Sequence, residues 1–194
     1  VAGIMKAVDV LLCPTTCSLT HTEARREATK VGVRAATMPG ITEECMKRTL
    51  TADYSKIAAL SQKIAGVLSK GQQARVASPA GTDIEFSIRG REALADTGLV
   101  HQPGDMSNLP AGEAFLAPVE GTAEGVIVFE AAVAGLGKLG DEKIRIKVEQ
   151  GYAVEFTDGA QARKLEEMLE PHGCDAYNIA ELGIGTNDRA IISG

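Results

Sequence analysis

The period of the apolar pattern changes once along this chain, near Ser78-Pro79-Ala80-Gly81, and that change limits its architecture more than any other feature. Before it, short apolar runs alternate with helical stripes. Residues 8–13 form an apolar run broken only by Asp9 and closed by Pro14, the texture of a parallel strand buried on both faces. Thr20-His21-Thr22-Glu23 reads as a capping box, with Thr20 as N-cap and Glu23 reaching back to it. Ala24, Ala28 and Val31 follow at helical spacing until Gly32. A second strand is predicted over 33–38 and a short helix over 42–50. Asp53 caps a longer helix striped by Ile57, Leu60, Ile64 and Leu68, and Gln73–Ala77 reads as a third strand. This alternation predicts an α/β region over 1–78 built on a partial doubly wound parallel sheet.

After the change the period is two. Ile84, Phe86 and Ile88 alternate with polar residues, as on a half-exposed strand. Residues 101–112 read as a Pro/Gly loop, and 125–129, 143–148 and 152–156 as antiparallel strands joined by glycine turns. Asp158 with Gln161 caps a helix that Pro171 ends, and 178–184 form a last strand. Residues 79–194 are therefore expected to be an α+β domain, mixed or antiparallel and β-rich.

Composition excludes several functions. The chain carries 20 Lys+Arg against 26 Asp+Glu among 194 residues. The imbalance is local: residues 1–100 hold 13 basic and 10 acidic side chains, and 101–194 hold 7 and 16. Without a basic stripe, and with 4% aromatic residues, nucleic acid is not an expected partner. No run of 18 apolar residues exists to span a membrane. Cys13, Cys17, Cys45 and Cys174 fit no zinc spacing and read as reduced thiols, which points to the cytoplasm. The chain opens at Val1 rather than Met and stops after Ile191-Ile192-Ser193-Gly194, so it is expected to be a piece lacking both ends.

Two glutamates are the candidate metal ligands. Glu181 lies in Ile179-Ala180-Glu181-Leu182-Gly183-Ile184, an acid in an apolar strand, which needs a cation, a metal or N–H donors unless it faces water. Glu113 closes Asn108-Leu109-Pro110-Ala111-Gly112-Glu113, at the rim of a loop. Carboxylates from two segments can bridge divalent metals that activate water. His21 stands at a helix start after a strand, where open α/β sheets bind ligands. His101 and His172 have no ligand spacing, and the turns at Gly81-Thr82-Asp83 and 183–187 lack phosphate-loop spacing.

Six stretches, taken together, resemble the thermophilic metallo-aminopeptidases of the aminopeptidase T and aminopeptidase S type, often labelled leucyl aminopeptidases. They are Ser18-Leu19-Thr20-His21-Thr22, Ser78-Pro79-Ala80-Gly81-Thr82-Asp83, Asp96-Thr97-Gly98-Leu99, residues 108–113, Ala117-Pro118-Val119-Glu120-Gly121-Thr122, and residues 178–187. The resemblance implies a metalloprotease, a hydrolase that releases N-terminal residues from a peptide substrate with two divalent ions, zinc or cobalt. It implies Glu113 and Glu181 as metal ligands, further ligands beyond this chain, a homodimer, and no activity in this piece alone. Ring-cleaving dihydroxypyridine dioxygenases, which bind a single ferrous iron, look similar and are the alternative. A non-catalytic binding piece is the third reading.

Overall fold

The structure, a computed structural model, describes residues 2–157 and 159–192. In chain order the elements begin with α1 (Ala2–Met5), β1 (Val10–Cys13), α2 (Glu23–Lys30), β2 (Arg34–Thr37), α3 (Glu43–Thr49) and α4 (Tyr54–Leu68). Strands follow: β3 (Gln73–Ala77), β4 (Asp83–Ser87), β5 (Leu94–Asp96), β6 (Met106–Asn108), β7 (Glu113–Leu116) and β8 (Glu124–Phe129). The chain continues through β9 (Ala132–Val133), β10 (Gly137–Lys138), β11 (Ile144–Glu149), β12 (Tyr152–Phe156), α5 (Ala160–Leu169) and β13 (Leu182–Gly185). The fold is mixed α/β with several sheets, mostly antiparallel.

Two compact units interleave along the chain. One comprises the chain up to Ala65 with Leu94–Phe115 and Gly183–Ala190; the other comprises Gly66–Ala93 and Leu116–Leu182 with the stretch from Ile191. In the first, β1, β2 and β6 form a parallel sheet in that order, with Val10 opposite Arg34 and Ala35 opposite Met106. Met5, Ala28 and Val33 make its small apolar cluster, with Leu11, Leu19 and Ala24 packed against it. A second sheet runs β13-β7-β5.

The other unit is built on a five-stranded sheet in the order β12-β11-β8-β4-β3. Alternation along β11 buries Ile144, Ile146 and Val148 and exposes the residues between them. These join Ile84, Phe86, Ile88, Leu116 and, from α5, Ala162 and Leu165 in one core. Fully burying side chains of this size is worth about 1.5–3 kcal/mol each.

The helices follow the local chemistry read from the sequence, with two changes. Thr42 caps α3, accepting from the Cys45 N–H at 3.1 Å, and Asp53 Oδ1 accepts from Ser55 and Lys56 N–H ahead of α4. The N-cap of α2 is Thr22, not Thr20, because the Thr20 hydroxyl is committed elsewhere. In α4 the buried stripe is Ile57, Ala58, Ser61 and Ala65, while Leu60 is 45% exposed. The small residues face inward, and Ser61 bonds the Thr186 hydroxyl at 2.7 Å. The expected cap Asp158 lies outside the described residues, and α5 begins after Gly159.

The sheets differ more. Gln73–Ala77 is not a third parallel strand: it pairs antiparallel with β4, Gln73 opposite Ser87 and Ala77 opposite Asp83. The Ser78-Pro79-Ala80-Gly81 stretch is the turn of that hairpin, closed by the Ser78 N–H donating to the Thr82 carbonyl at 3.0 Å. The third parallel strand is β6, three residues inside the stretch read as a loop and too short to show a period. The run 8–13 is not buried on both faces either: Val10 is 46% and Leu12 63% exposed on the outermost strand of its sheet.

Candidate functional site

At the carboxyl ends of the parallel strands, polar side chains replace the apolar core. Thr37 ends β2 and Asn108 ends β6, and Thr20 comes from the loop after β1. The Thr20 and Thr37 hydroxyls lie 2.8 Å apart and donate to Asn108 Oδ1 at 2.7 and 2.5 Å. Ser18 Oγ donates to Thr20 Oγ1 at 3.0 Å. Below them the buried Arg25 guanidinium holds the Thr20 carbonyl, with Nε donating at 2.8 Å and Nη2 at 2.5 Å. Burial lowers the Arg25 pKa, with Arg26 adding to the effect. Thr37 is fully buried and Thr20 nearly so, so each hydroxyl needs a protein partner. Open α/β sheets bind ligands at this end of their strands.

One short segment links this lattice to a pair of acids. Ser107, next to Asn108, donates its hydroxyl to Asp96 Oδ1 at 2.8 Å. Asp96 on β5 stands directly opposite Glu113 on β7. Opposed residues of an antiparallel pair project from the same face with Cβ atoms roughly 4.5–5.5 Å apart, and like charges there repel. Burial pushes the Asp96 carboxyl above the usual carboxylate range, against the Ser107 hydroxyl and the Gly98 N–H, which pull it down. Both acids are half-buried. Gly183 on β13 leaves the space that the Glu113 side chain occupies: a Cβ there would lie 2.0 Å from Glu113 Oε1.

The loop carrying Glu113 is braced by the segment after β13. The Gly112 carbonyl accepts from the Thr186 N–H at 2.8 Å, and the Ala111 carbonyl from Asn187 Nδ2 at 2.9 Å. Gly112 itself has φ +126°, and a Cβ on it would meet Asn187 and Ile57 at 2.8–3.0 Å. Residues 108–113 and 183–187, prominent as sequence motifs, are thus hydrogen-bonded to each other.

Of the residues singled out from sequence, Glu113 lies in this site. Glu181 is exposed in the segment before β13, so the buried-acid argument for it fails and it is the water-facing case. Glu113 and Glu181 fall in different compact units. His21 is exposed beside Thr20, and His101 and His172 are exposed. Among the described residues, no group of three or more His, Cys, Asp or Glu side chains could hold a metal ion. Asp96 opens one of the six resembling stretches but is not singled out there as a site residue: a lone acid before Thr-Gly in a three-residue strand gives no period to read. Thr37 was signalled only as a polar residue near the end of the strand predicted over 33–38.

The family model described as NicX, 2,5-dihydroxypyridine 5,6-dioxygenase, matches residues 1–193. A curated 2,5-dihydroxypyridine 5,6-dioxygenase of Pseudomonas putida KT2440 is 25% identical over 191 residues, covering 96% of this chain and 53% of that protein. The chain therefore spans about half the length of the curated relative. A solved 2,5-dihydroxypyridine dioxygenase from the same strain superposes with a TM-score of 0.80 at 23% identity, over 98% of this chain and 54% of that one. Wild-type AmpT from Thermus thermophilus aligns with a TM-score of 0.53 at 17% identity, over 87% and 40%. That distant likeness concerns the fold alone. The resemblance to metallo-aminopeptidases is thereby corrected, and the peptidase activity with its hydrolase and protease labels falls with it, because the relatives matched in sequence are dioxygenases. What had stood as the alternative is where the chain is placed by a match over nearly its whole length: it belongs to the NicX, 2,5-dihydroxypyridine 5,6-dioxygenase, family.

Proposed function

We propose that this chain forms part of an iron-dependent dioxygenase that opens a dihydroxylated pyridine ring, with Glu113 as one of the carboxylates that hold the metal. The observation that carries the reading is the Glu113 carboxylate accommodated over Gly183 on one neighbouring strand, with Asp96 at the same register on the other. Half-buried carboxylate oxygens of this kind are donors a cation can use. Carboxylate oxygens suit a ferrous ion, which typically takes a mixed set of His and carboxylate donors. These two acids supply only part of such a set. A zinc or cobalt pair loses its rationale once hydrolysis is set aside.

A bound ferrous ion would supply the dioxygen chemistry; the chain's own residues bind and orient. The Ser107 hydroxyl fixes one Asp96 oxygen, and the Thr186 and Asn187 bonds hold the loop that carries Glu113. Four free cysteines support a reducing, cytoplasmic setting, and a homodimer is retained as the proposed assembly. Among the described residues no helix is long and apolar enough to cross a membrane.

The test is an oxygen-electrode assay of the whole dioxygenase of which this chain is proposed to form part, after anaerobic loading with ferrous iron. Oxygen uptake in step with loss of 2,5-dihydroxypyridine absorbance is the expected result. Absence of uptake at every iron loading contradicts the reading.

A further inference from the structure

Asn108 is exposed, yet its amide oxygen is engaged by two buried hydroxyls. Thr37 is sealed from water and Thr20 nearly so, and each hydroxyl proton needs an acceptor there. Asn108 Oδ1 accepts both. That fixes the plane of the amide and turns Nδ2 away from the lattice. The exposed part of the side chain, at the carboxyl end of the parallel sheet, is then a double N–H donor. Its direction is set by the protein rather than by solvent.

We propose that Asn108 Nδ2 is a substrate-recognition donor that hydrogen-bonds a ring oxygen of the hydroxylated pyridine. This rests on the ring-cleavage reading above and adds the contact that selects the substrate. Two neutral N–H groups match a neutral acceptor oxygen, which a 2-hydroxypyridine presents in its pyridone tautomer. The donor is also close along the chain to the proposed metal carboxylates. Asn108 follows Ser107, which holds Asp96, and precedes Glu113 by five residues, a span of at most about 17 Å when extended. A site built to bond a substrate oxygen rejects the analogue that lacks it, because the donor is left unpaired. Thr20 and Thr37 act through Asn108 and are positioning residues.

The test is Asn108→Asp, which keeps an oxygen facing the two threonines and replaces the outward donor with an acceptor. Calorimetric titration with 2,5-dihydroxypyridine is compared with 3-hydroxypyridine, which lacks the oxygen beside the ring nitrogen. The expected result is an unchanged melting temperature, affinity for 2,5-dihydroxypyridine weakened roughly tenfold, and unchanged affinity for 3-hydroxypyridine. Thr37→Val tests positioning: KM should rise with kcat held, and the Asn108 side-chain amide resonances should lose their shift on adding 2,5-dihydroxypyridine. Equal affinity of Asn108→Asp and the unsubstituted protein for 2,5-dihydroxypyridine overturns the Asn108 assignment and leaves ring cleavage standing. No binding of 2,5-dihydroxypyridine by the unsubstituted protein overturns both.

Discussion

The two compact units solve different problems with their interiors. The unit built on the five-stranded sheet buries branched and aromatic side chains in one apolar core, Ile84, Phe86, Ile144 and Val148 among them. The unit built on the parallel sheet has a three-residue apolar cluster and otherwise buries mostly small side chains, and it seals more hydroxyls, Thr20, Thr37, Ser61 and Thr186 among them. An apolar core is non-directional and tolerates hydrophobic exchange, whereas a buried hydroxyl lattice demands one geometry because every unmet bond costs free energy. The first arrangement provides stability. The second holds a few polar groups in fixed directions, which is what a site requires.

Substitutions in each unit should separate these roles. The largest effect is expected from Ile144→Ala, in a position with no exposed surface. It should cost about 2–5 kcal/mol in urea unfolding, with the proposed ring cleavage by the folded fraction unchanged. A fall in intrinsic activity would break the division of labour. Gly183→Ala comes next, since its Cβ would lie 2.0 Å from Glu113 Oε1 and displace that carboxylate. Ferrous affinity should drop about 10–100-fold while circular dichroism stays native. Native metal affinity would show that Glu113 does not hold the metal from this position.

Ser61→Ala removes the partner of the Thr186 hydroxyl and should cost about 1–3 kcal/mol by thermal unfolding. A neutral outcome would make the buried hydroxyls of that unit replaceable. The smallest effect concerns pH. Because burial raises the Asp96 carboxyl pKa, the folded protein keeps that proton to higher pH than the unfolded chain does. The associated stabilisation is complete below the unfolded pKa, about 3.9, and is lost as pH rises through the folded value. At neutral pH the buried carboxylate is therefore a cost. In metal-free protein, Asp96→Asn should raise Tm at neutral pH, with the gain shrinking as pH falls through that folded value. A Tm difference that does not vary with pH would mean that Asp96 is not penalised by burial.

What could be read from the sequence followed the range of the interaction. Local chemistry was legible: the Asp53 cap and the Gly32 stop of α2 depend on neighbours within four residues. The alternation of Ile84, Phe86 and Ile88 was legible because one face of their strand is buried. Pairing was not. Gln73–Ala77 carries the same pattern whether it joins a parallel sheet or a hairpin, and only the register with Asp83–Ser87 decides. The site was half-visible. Glu113 stood out at the end of a Pro/Gly loop, but its partner Asp96 is set by cross-strand register, which leaves no mark along the chain. Glu181 stood out for being acidic among apolar residues, and its exposure shows that the contrast marked a strand end.

The most direct test of Glu113 as a metal-holding residue is anaerobic ferrous titration of Glu113→Gln beside the unsubstituted protein and Glu181→Gln. Iron binding is followed by calorimetry and function by oxygen uptake on 2,5-dihydroxypyridine. The expected result is that Glu113→Gln loses both iron affinity and uptake while its unfolding transition is retained. Iron affinity and uptake equal to the unsubstituted protein in Glu113→Gln would contradict the assignment and move the metal site elsewhere.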